Sequence, residues 1–393
     1  MNTAKYVDIH ALHVLPFSNT NRDDLGAPKT VQFGGAERTR ISSQSWKRPI
    51  RKHIERHLDE DTVRTRRVVI GVAERLEKHY GWDKDEAELA GIQVALSAGK
   101  GISLQQDKND KEETVLTTNV LLLLPESGID DLARLADQYR DDVLDAAQNV
   151  KTRIKMTAVL PSEQINEVLS RRSGTINLFG RMLAELPGAN VDGAVQMAHA
   201  FTTHPTRVEY DFFTAVDDVE HNLGLTGSAH LNTGMFSAGT FYRYANVNLD
   251  DLLGNLDQDR ELTSTLLTAF LRGFVHELPT GKQNPTAART PPELVYIVVR
   301  DDRPVSLAGA FEAPVTGEEG HLVRSVSRLH TQAGALAALL GDNHILFSGH
   351  TATPATQSSP EQPAQRPNFG LPSTSFDELI NDVVATACPG EHA

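Results

Sequence analysis

A chain of 393 residues can bury more than one core, and its 39% hydrophobic and 23% charged content are those of an ordinary water-soluble protein. A formal net charge of −14 excludes indiscriminate binding of polyanions, so any polynucleotide would have to be held by a local concentration of cations. The single cysteine, Cys388, excludes an internal disulfide and a cysteine-built zinc site; no apolar run approaches a bilayer span and MNTAKYVDIH has no hydrophobic signal core, so a cytoplasmic chain with no membrane partner is expected.

Residues 5–15, KYVDIHALHVL, alternate as a strand, with Val7, Ile9 and Ala11 opposed to Asp8, His10 and Leu12, and suit a central place in a sheet. The next stretch, PFSNTNRDDLGAPKT, is a long loop rich in Pro, Asn, Asp and Gly that delivers Arg22 and Lys29 to the vicinity of a basic segment. That segment, FGGAERTRISSQSWKRPIRK at 33–52, is a positive island in an acidic chain. Phe33-Gly34-Gly35 reads as a turn and Arg38-Thr39-Arg40-Ile41 as a short basic run. A helix follows, with Ser45 as its N-cap, Pro49 in its first turn, and Trp46, Ile50, Ile54 and Leu58 as its buried stripe. Beside the stripe, Lys47 with Arg51 and Arg48 with Lys52 are like-charged i,i+4 pairs, mildly unfavourable by themselves. Joined to the polar Ser42, Ser43, Gln44 and Ser45 and to the orphan N–H groups of a helix start, they suit a phosphate backbone. A solvated basic face over a core stripe is the alternative that charge alone leaves open.

Residues 62–148 read as an inserted helical lobe: an amphipathic run ending at Gly81, a start with Asp83 and Glu86 as a capping box, and a segment from 129 to 148. Within it LQQDKNDKEETV is a charged loop, and residues 120–124 a short strand or helix turn. Residues 194–202 form a strand with Val195, Met197, His199 and Phe201 on one face, which makes His199 a core histidine. Residues 204–239 form a protruding hairpin whose Phe212, Phe213, Leu231 and Met235 either await a partner surface or pack on their own domain. Strands at 240–249 and 294–299 flank a helix carrying Leu262, Leu266, Phe270 and Phe274, which gives an α+β fold with helices on one face of a largely antiparallel sheet. Residues 349–374, rich in Pro, Ser, Thr and Gln, are a disordered linker, and FDELINDVV a terminal helix.

Chemistry is sparse. His199, His204, His221 and His230, near Asp217 and Asp218, lack the spacing of a metal site, and no nucleophile elbow, P-loop or dinucleotide fingerprint occurs, so neither a metal nor a cofactor is expected. Gly180-Arg181-Met182 and Gly281-Lys282-Gln283 each set a cation beside a glycine, where a phosphate can approach closely; ordinary turns are the alternative.

The strings NRDD at 21–24, FGGAERTRISSQSWKR at 33–48, FGRM at 179–182, VDGAVQMAHAFTTH at 191–204, FFTAVDD at 212–218, GSAHL at 227–231 and FYRYANVNL at 241–249 resemble the CasC family. That family is the repeated backbone subunit of the type I-E CRISPR Cascade complex. The resemblance runs from the N-terminus to about Arg300 and is poor beyond residue 320. It implies a palm of modified RRM-like (ferredoxin-like) fold at 1–60 and 181–320, a helical fingers insertion at 61–180, a thumb β-hairpin at about 204–239, and C-terminal helices with a linker at 321–393. It further implies a non-catalytic subunit that lines up with copies of itself, about six, and with other Cascade subunits along the guide RNA, presenting the guide to target DNA. By the same resemblance Lys29, Ser42, Gln44, Lys47, Arg48 and Arg51 would contact the RNA backbone, with Lys282 and Gln283 adding to them. Met182 and Leu231 would insert beside a displaced base, and Phe212 and Phe213 would lie in the thumb. Some related backbone subunits cut RNA with a loop aspartate, for which Asp23 and Asp24 are the candidates here.

Overall fold

Strand β1 (Tyr6–Ser18) is the axis of the larger part of the molecule, because side chains on both of its faces are buried. The structure, a computed structural model, describes residues 3–99, 101–108, 112, 114–148, 152–216, 228–318, 320–356 and 366–389, with side chains at 214–231 excepted. It divides into two units, residues 1–53 with 195–393, and residues 54–194.

In the first unit β1 is followed by β2 (Thr30–Phe33), β3 (Ala36–Ile41), helix α1 (Ser43–Leu58), which runs across the boundary, and then β4 (Val195–Met197), β5 (Ala200–Thr202), β6 (Glu209–Val216) and β7 (Ser228–Asn248). Helices α2 (Leu249–Asn255), α3 (Arg260–His276) and α4 (Gln283–Thr286) lead to β8 (Leu294–Arg300), α5 (Leu322–Leu340), β9 (Ile345–Ala352), β10 (Leu371–Pro372) and α6 (Phe376–Ala387). The ten-stranded sheet runs β10-β9-β8-β1-β7-β5-β3-β2, with β4 and β6 also on β7, and every pair but β9 with β10 is antiparallel. The fold is therefore α+β, with β1 at the centre.

Register assigns the two faces. Ile9 lies opposite Ile297 and Ala245, and Ala11 opposite Val295 and Arg243, so these residues share one face. Phe274 of α3 lies against Arg243 there, and α6 packs on β8 and β9. The other face carries Asp8, His10, Leu12, Tyr242, Tyr244 and Tyr296. Val326, Leu329 and Ala333 of α5 share a core cluster with Leu12 and the three tyrosines. Helices thus cover both faces, not the one expected: every residue of β8 is buried, and a strand apolar on both sides leaves neither face for water. Polar groups on the second face are paired. Asp8 accepts from Tyr244 O–H (2.7 Å) and Val305 N–H (2.9 Å), and burial raises its carboxyl to about 7.

Four further expectations are corrected. The strand over 194–202 breaks at Ala198 and His199 into β4 and β5. Residues 345–352 and 371–372 are strands of the sheet and Phe369 is fully buried, so the flanks of the expected linker are structured; its middle, 357–365, lies outside the described residues. Proline content misled there because β10 is a two-residue strand at the edge of the sheet, where proline is tolerated. In the second unit the charged loop is an antiparallel hairpin, Leu104–Lys108 with Thr114–Thr118, since alternating polar residues suit an exposed ribbon as well as a loop. The rest of that unit is a two-stranded antiparallel ribbon, Thr62–Thr65 with Leu122–Pro125, and helices around Val72, Leu76, Ile92, Leu132, Ala136 and Ile165. Asp83 does precede a helix, Lys84–Ser97, but its side chain makes no capping bond.

Candidate nucleic-acid interface

Helix α1 begins at Ser43, three residues before the first turn expected after a Ser45 cap, and the Ser42 carbonyl accepts from the N–H groups of Ser45 (3.0 Å) and Trp46 (3.4 Å). Pro49 consequently sits in the second turn, where its missing N–H leaves the Ser45 carbonyl without its helical donor. Trp46 and Ile50 are fully buried, as the stripe requires. Two long-range side chains fix the start. Asn21 Oδ1 accepts from Ser42 N–H (2.8 Å), and His199 Nδ1 accepts from Ser43 N–H (2.9 Å). His199 is exposed, not a core residue: the strand break turns it out of the sheet and onto the helix end. Because Nδ1 accepts, its proton is on Nε2, and desolvation, then Arg40 and Lys29, hold its pKa below the usual histidine value. A period-two reading assigned His199 to the core, and the only local signal against it is the pair of strands too short to continue through it.

The loop that supplies Asn21 is itself folded. Asn21 and Lys29 carbonyls accept from Lys29 N–H (3.0 Å) and Arg40 N–H (2.8 Å), and Asp23 Oδ1 accepts from the N–H groups of Leu25 and Ala27 (2.9 Å each). It presents Arg22 exposed and Lys29 half-buried. Gly281 closes on the same loop so tightly that a Cβ would lie 2.5 Å from the Thr20 carbonyl oxygen. Residues 20–24, Gly26 and Gly281 line an open cleft of about 500 Å³. Lys282 follows in the left-handed region (φ 47°), its Nζ 5.3 Å from the Phe236 ring. Gln283 turns inward: its amide donates to the carbonyls of Pro279 (3.0 Å) and Ala288 (3.4 Å). On α1, Gln44 and Arg48 are exposed and Lys47 and Arg51 half-buried, while Ser42 is buried. Burial lowers the Lys47 pKa. Asn21, Arg22, Lys29, Arg40, His199 and Lys282 thus gather with the first turns of α1 on one unit.

Other expected cations do not reach solvent. Arg38 is fully buried and donates to the carbonyls of Thr202 (2.9 Å) and Phe311 (3.0 Å). Arg181, in the second unit, is likewise no phosphate contact. It donates to the carbonyls of Ala189 (2.7 Å), Leu123 (3.0 Å), Arg171 (2.7 Å) and Ser170 (2.7 Å), and burial, with Arg172 adding to it, lowers its pKa to about 10. Its neighbour Met182 is 88% exposed.

The hairpin at 204–239 is a ribbon of β6 and the first part of β7, pairing Phe212 with Thr233 and Phe213 with Asn232. Tyr210, Phe212 and Phe213 are exposed on it, which decides between the two readings of these aromatics. Leu231 pairs with Thr214, and its side chain lies outside the described residues, as do Asp217, Asp218, His221 and the side chain of His230. Among the described residues Asp301, Asp302 and His344 could converge on a metal ion. Arg300 already engages both Asp302 oxygens (2.8 and 3.1 Å), and His344 Nδ1 is 2.8 Å from Asp301, so partners within the chain already occupy the group. No helix among the described residues is long and apolar enough to cross a membrane.

A large antiparallel sheet whose rim gathers cations at a helix start defines a class, that of α+β proteins equipped to hold a phosphate polyanion. The chain belongs to the family described as CT1975-like protein, matched over residues 7–382, and is a CasC-type backbone subunit. It is similar to a chain of a "CRISPR RNA-guided surveillance complex, pre-nicking", with 47% identity and a TM-score of 0.89 over 97% of this chain and 100% of that one. A chain of a "CRISPR RNA-guided surveillance complex" is 41% identical, with a TM-score of 0.79 and the same coverage. No curated protein matches.

Proposed function

We propose that the chain is a non-catalytic scaffold that binds CRISPR guide RNA by its sugar-phosphate backbone, oligomerises along the guide spacer in a type I-E Cascade complex, and presents the guide for pairing with target DNA in cytoplasmic antiviral defence. The observation that carries this reading is the joining of α1, the 19–29 loop and Gly281-Lys282 into one cationic surface, by hydrogen bonds from Ser42 and Ser43 N–H to the Asn21 and His199 side chains and by close approach of Gly281 to the Thr20 carbonyl. In it the RRM-like palm is the first unit's sheet, the β6–β7 ribbon is the thumb, the helical unit is the fingers, and a filament of about six copies follows from head-to-tail association. The exposed Phe212 and Phe213 then face a neighbouring copy or RNA, and Met182 and Leu231 part the bases. Asp23 supports a scaffold over an RNA-cutting enzyme, since its Oδ1 is committed to two loop N–H groups.

The test is copurification and salt dependence. The native assembly should carry guide-length RNA, several copies of this chain and other Cascade subunits. Lys47→Ala with Arg51→Ala should weaken binding to every RNA sequence and flatten the log–log salt slope by about 1.4, the value for neutralising two fewer phosphates of a single strand. An unchanged slope, or metal-dependent cleavage of complementary RNA abolished by Asp23→Asn, would overturn the reading.

A further inference from the structure

Behind the cationic surface lies a buried cation that the proposed function does not use. Arg243, on β7, is 1% exposed, and among the described residues no carboxylate pairs with it. Its guanidinium carbon lies 3.7 Å from the ring centre of Trp46, in the first turns of α1, and 4.3 Å from that of Phe274 on α3. One terminal nitrogen donates to the Phe274 carbonyl. That carbonyl belongs to the last turn of α3, which lacks helical donors and carries the negative end of the helix dipole. The other terminal nitrogen donates to His13 Nδ1 (3.0 Å). A guanidinium only donates, so His13 is neutral with its proton on Nε2, and that proton goes to the Thr290 carbonyl (2.7 Å). Thr290 follows the loop that presents Lys282.

We propose that Arg243 is a positioning residue for the RNA grip, a three-way clamp that fixes the pose of helix α1 through Trp46 and, through His13 and Thr290, that of the Lys282 loop. The inference rests on the reading of α1 as the RNA-holding helix. Arginine suits the geometry: its planar group stacks between two rings while two separate terminal nitrogens each donate, whereas a lysine ammonium is a single point donor with no plane to stack. Burial pushes the guanidinium down to about 9, so the site holds a charge against desolvation, a device that a purely structural core would replace with an apolar side chain. Trp46, buried on the face opposite the exposed Arg48, transmits the clamp to the cations that meet phosphate.

The experiment uses the full chain, unlabelled, with a fluorescent single-stranded RNA, and compares wild type with Arg243→Met, Arg243→Lys, Lys282→Ala and the Arg243→Met/Lys282→Ala pair. Arg243→Met should weaken binding about tenfold, the effect of removing a charge-assisted hydrogen bond. Its thermal midpoint should fall by no more than about 5 °C, because removing a desolvated charge offsets part of the cost of leaving the Phe274 carbonyl and His13 Nδ1 without a donor. Lys282→Ala should add less than its own effect in the double variant, since both act through one loop, and Arg243→Lys should not restore binding. Should Arg243→Met fail to fold, Trp46→Phe keeps an aromatic face on the clamp and should show a smaller loss with the same non-additivity. Wild-type affinity in either variant, or strict additivity with Lys282→Ala, overturns the clamp while leaving the RNA-binding reading intact. Failure of the wild-type chain to bind RNA overturns both.

Discussion

Two turns of like sequence, Gly180-Arg181-Met182 in one unit and Gly281-Lys282-Gln283 in the other, resolve in opposite ways. In the first the cation is buried and the apolar neighbour stands in solvent. In the second the cation is on the surface side and the neutral amide is buried. Each glycine allows backbone to meet backbone: a Cβ on Gly180 would lie 2.9 Å from Val191 O and from Gly193 N, and one on Gly281 2.5 Å from Thr20 O. Beside each turn lie carbonyls that a side chain must serve. Around Arg181 four carbonyls converge, a number that a guanidinium with five N–H groups can meet. Beside Gln283 there are two, which one amide nitrogen serves. These carbonyls choose the residue by its donors, and whichever neighbour is left over becomes surface. Polarity alone would have put Met182 inside and Arg181 out.

The strongest way to break this comparison is Arg181→Ala. It removes the donor from one buried and three part-buried carbonyls and should destabilise the 54–194 unit by about 3 kcal/mol, the upper end of the cost of an acceptor left unmet. Urea unfolding followed by a probe in that unit measures it, with Met182→Ser as the matched control that should change little. A loss under about 1 kcal/mol would mean that water serves those carbonyls and that donor count did not select Arg181.

Acid sharpens the contrast between the units. In the first unit burial holds His10, His13 and His204 neutral, with pKa values lowered to about 3, 3 and 4. Unfolded, they titrate near 6.5, so the unfolded chain takes up protons first and stability falls as pH drops below that value. Asp8 runs the other way: its folded pKa of about 7 lies above its unfolded value of 3.8, so its contribution is present at low pH and lost as pH rises through 7. Three groups oppose one. Acidification from pH 7 to 5 should loosen the sheet, read as faster amide exchange in β1 and β7, and Asp8→Asn should steepen that response. Exchange in the 68–80 and 126–138 helices should not follow, as Arg181 stays protonated throughout.

Smaller still is the effect of His199→Ala. It removes the acceptor for Ser43 N–H and should cost about 1 kcal/mol, the value of a helix cap. Amide exchange at residues 43–46 should rise while β7 is unaffected, and an unchanged rate would show that another acceptor, such as water, serves that N–H equally well.

Much of this was legible in the sequence where the information is local. Trp46 and Ile50 are buried, the Gly34-Gly35 turn joins β2 to β3 with both glycines at positive φ, and β1 is central. What could not be read is long-range. Nothing near Arg38, Arg181 or Arg243 in the chain says that carbonyls 8 to 273 residues away will claim them. The same holds for His199, whose partner Ser43 lies 156 residues off. The candidate surface was therefore found by its cations, but its caps and its buried supports were not.

The finest discrimination between the two turns comes from Lys282→Ala. If Lys282 is the residue left over once Gln283 has taken the inner position, its removal strands no carbonyl, and stability should stay within about 0.5 kcal/mol of wild type. Relief of the left-handed φ at this position is too small to change that sign, since alanine has a Cβ as well. RNA binding should still respond. Neutralising one fewer phosphate of a single strand flattens the log–log salt slope by about 0.7, uniformly over RNA sequences. A stability loss with no change in slope would mean that Lys282, like Arg181, is a structural cation, and the surface would then end at the 19–29 loop.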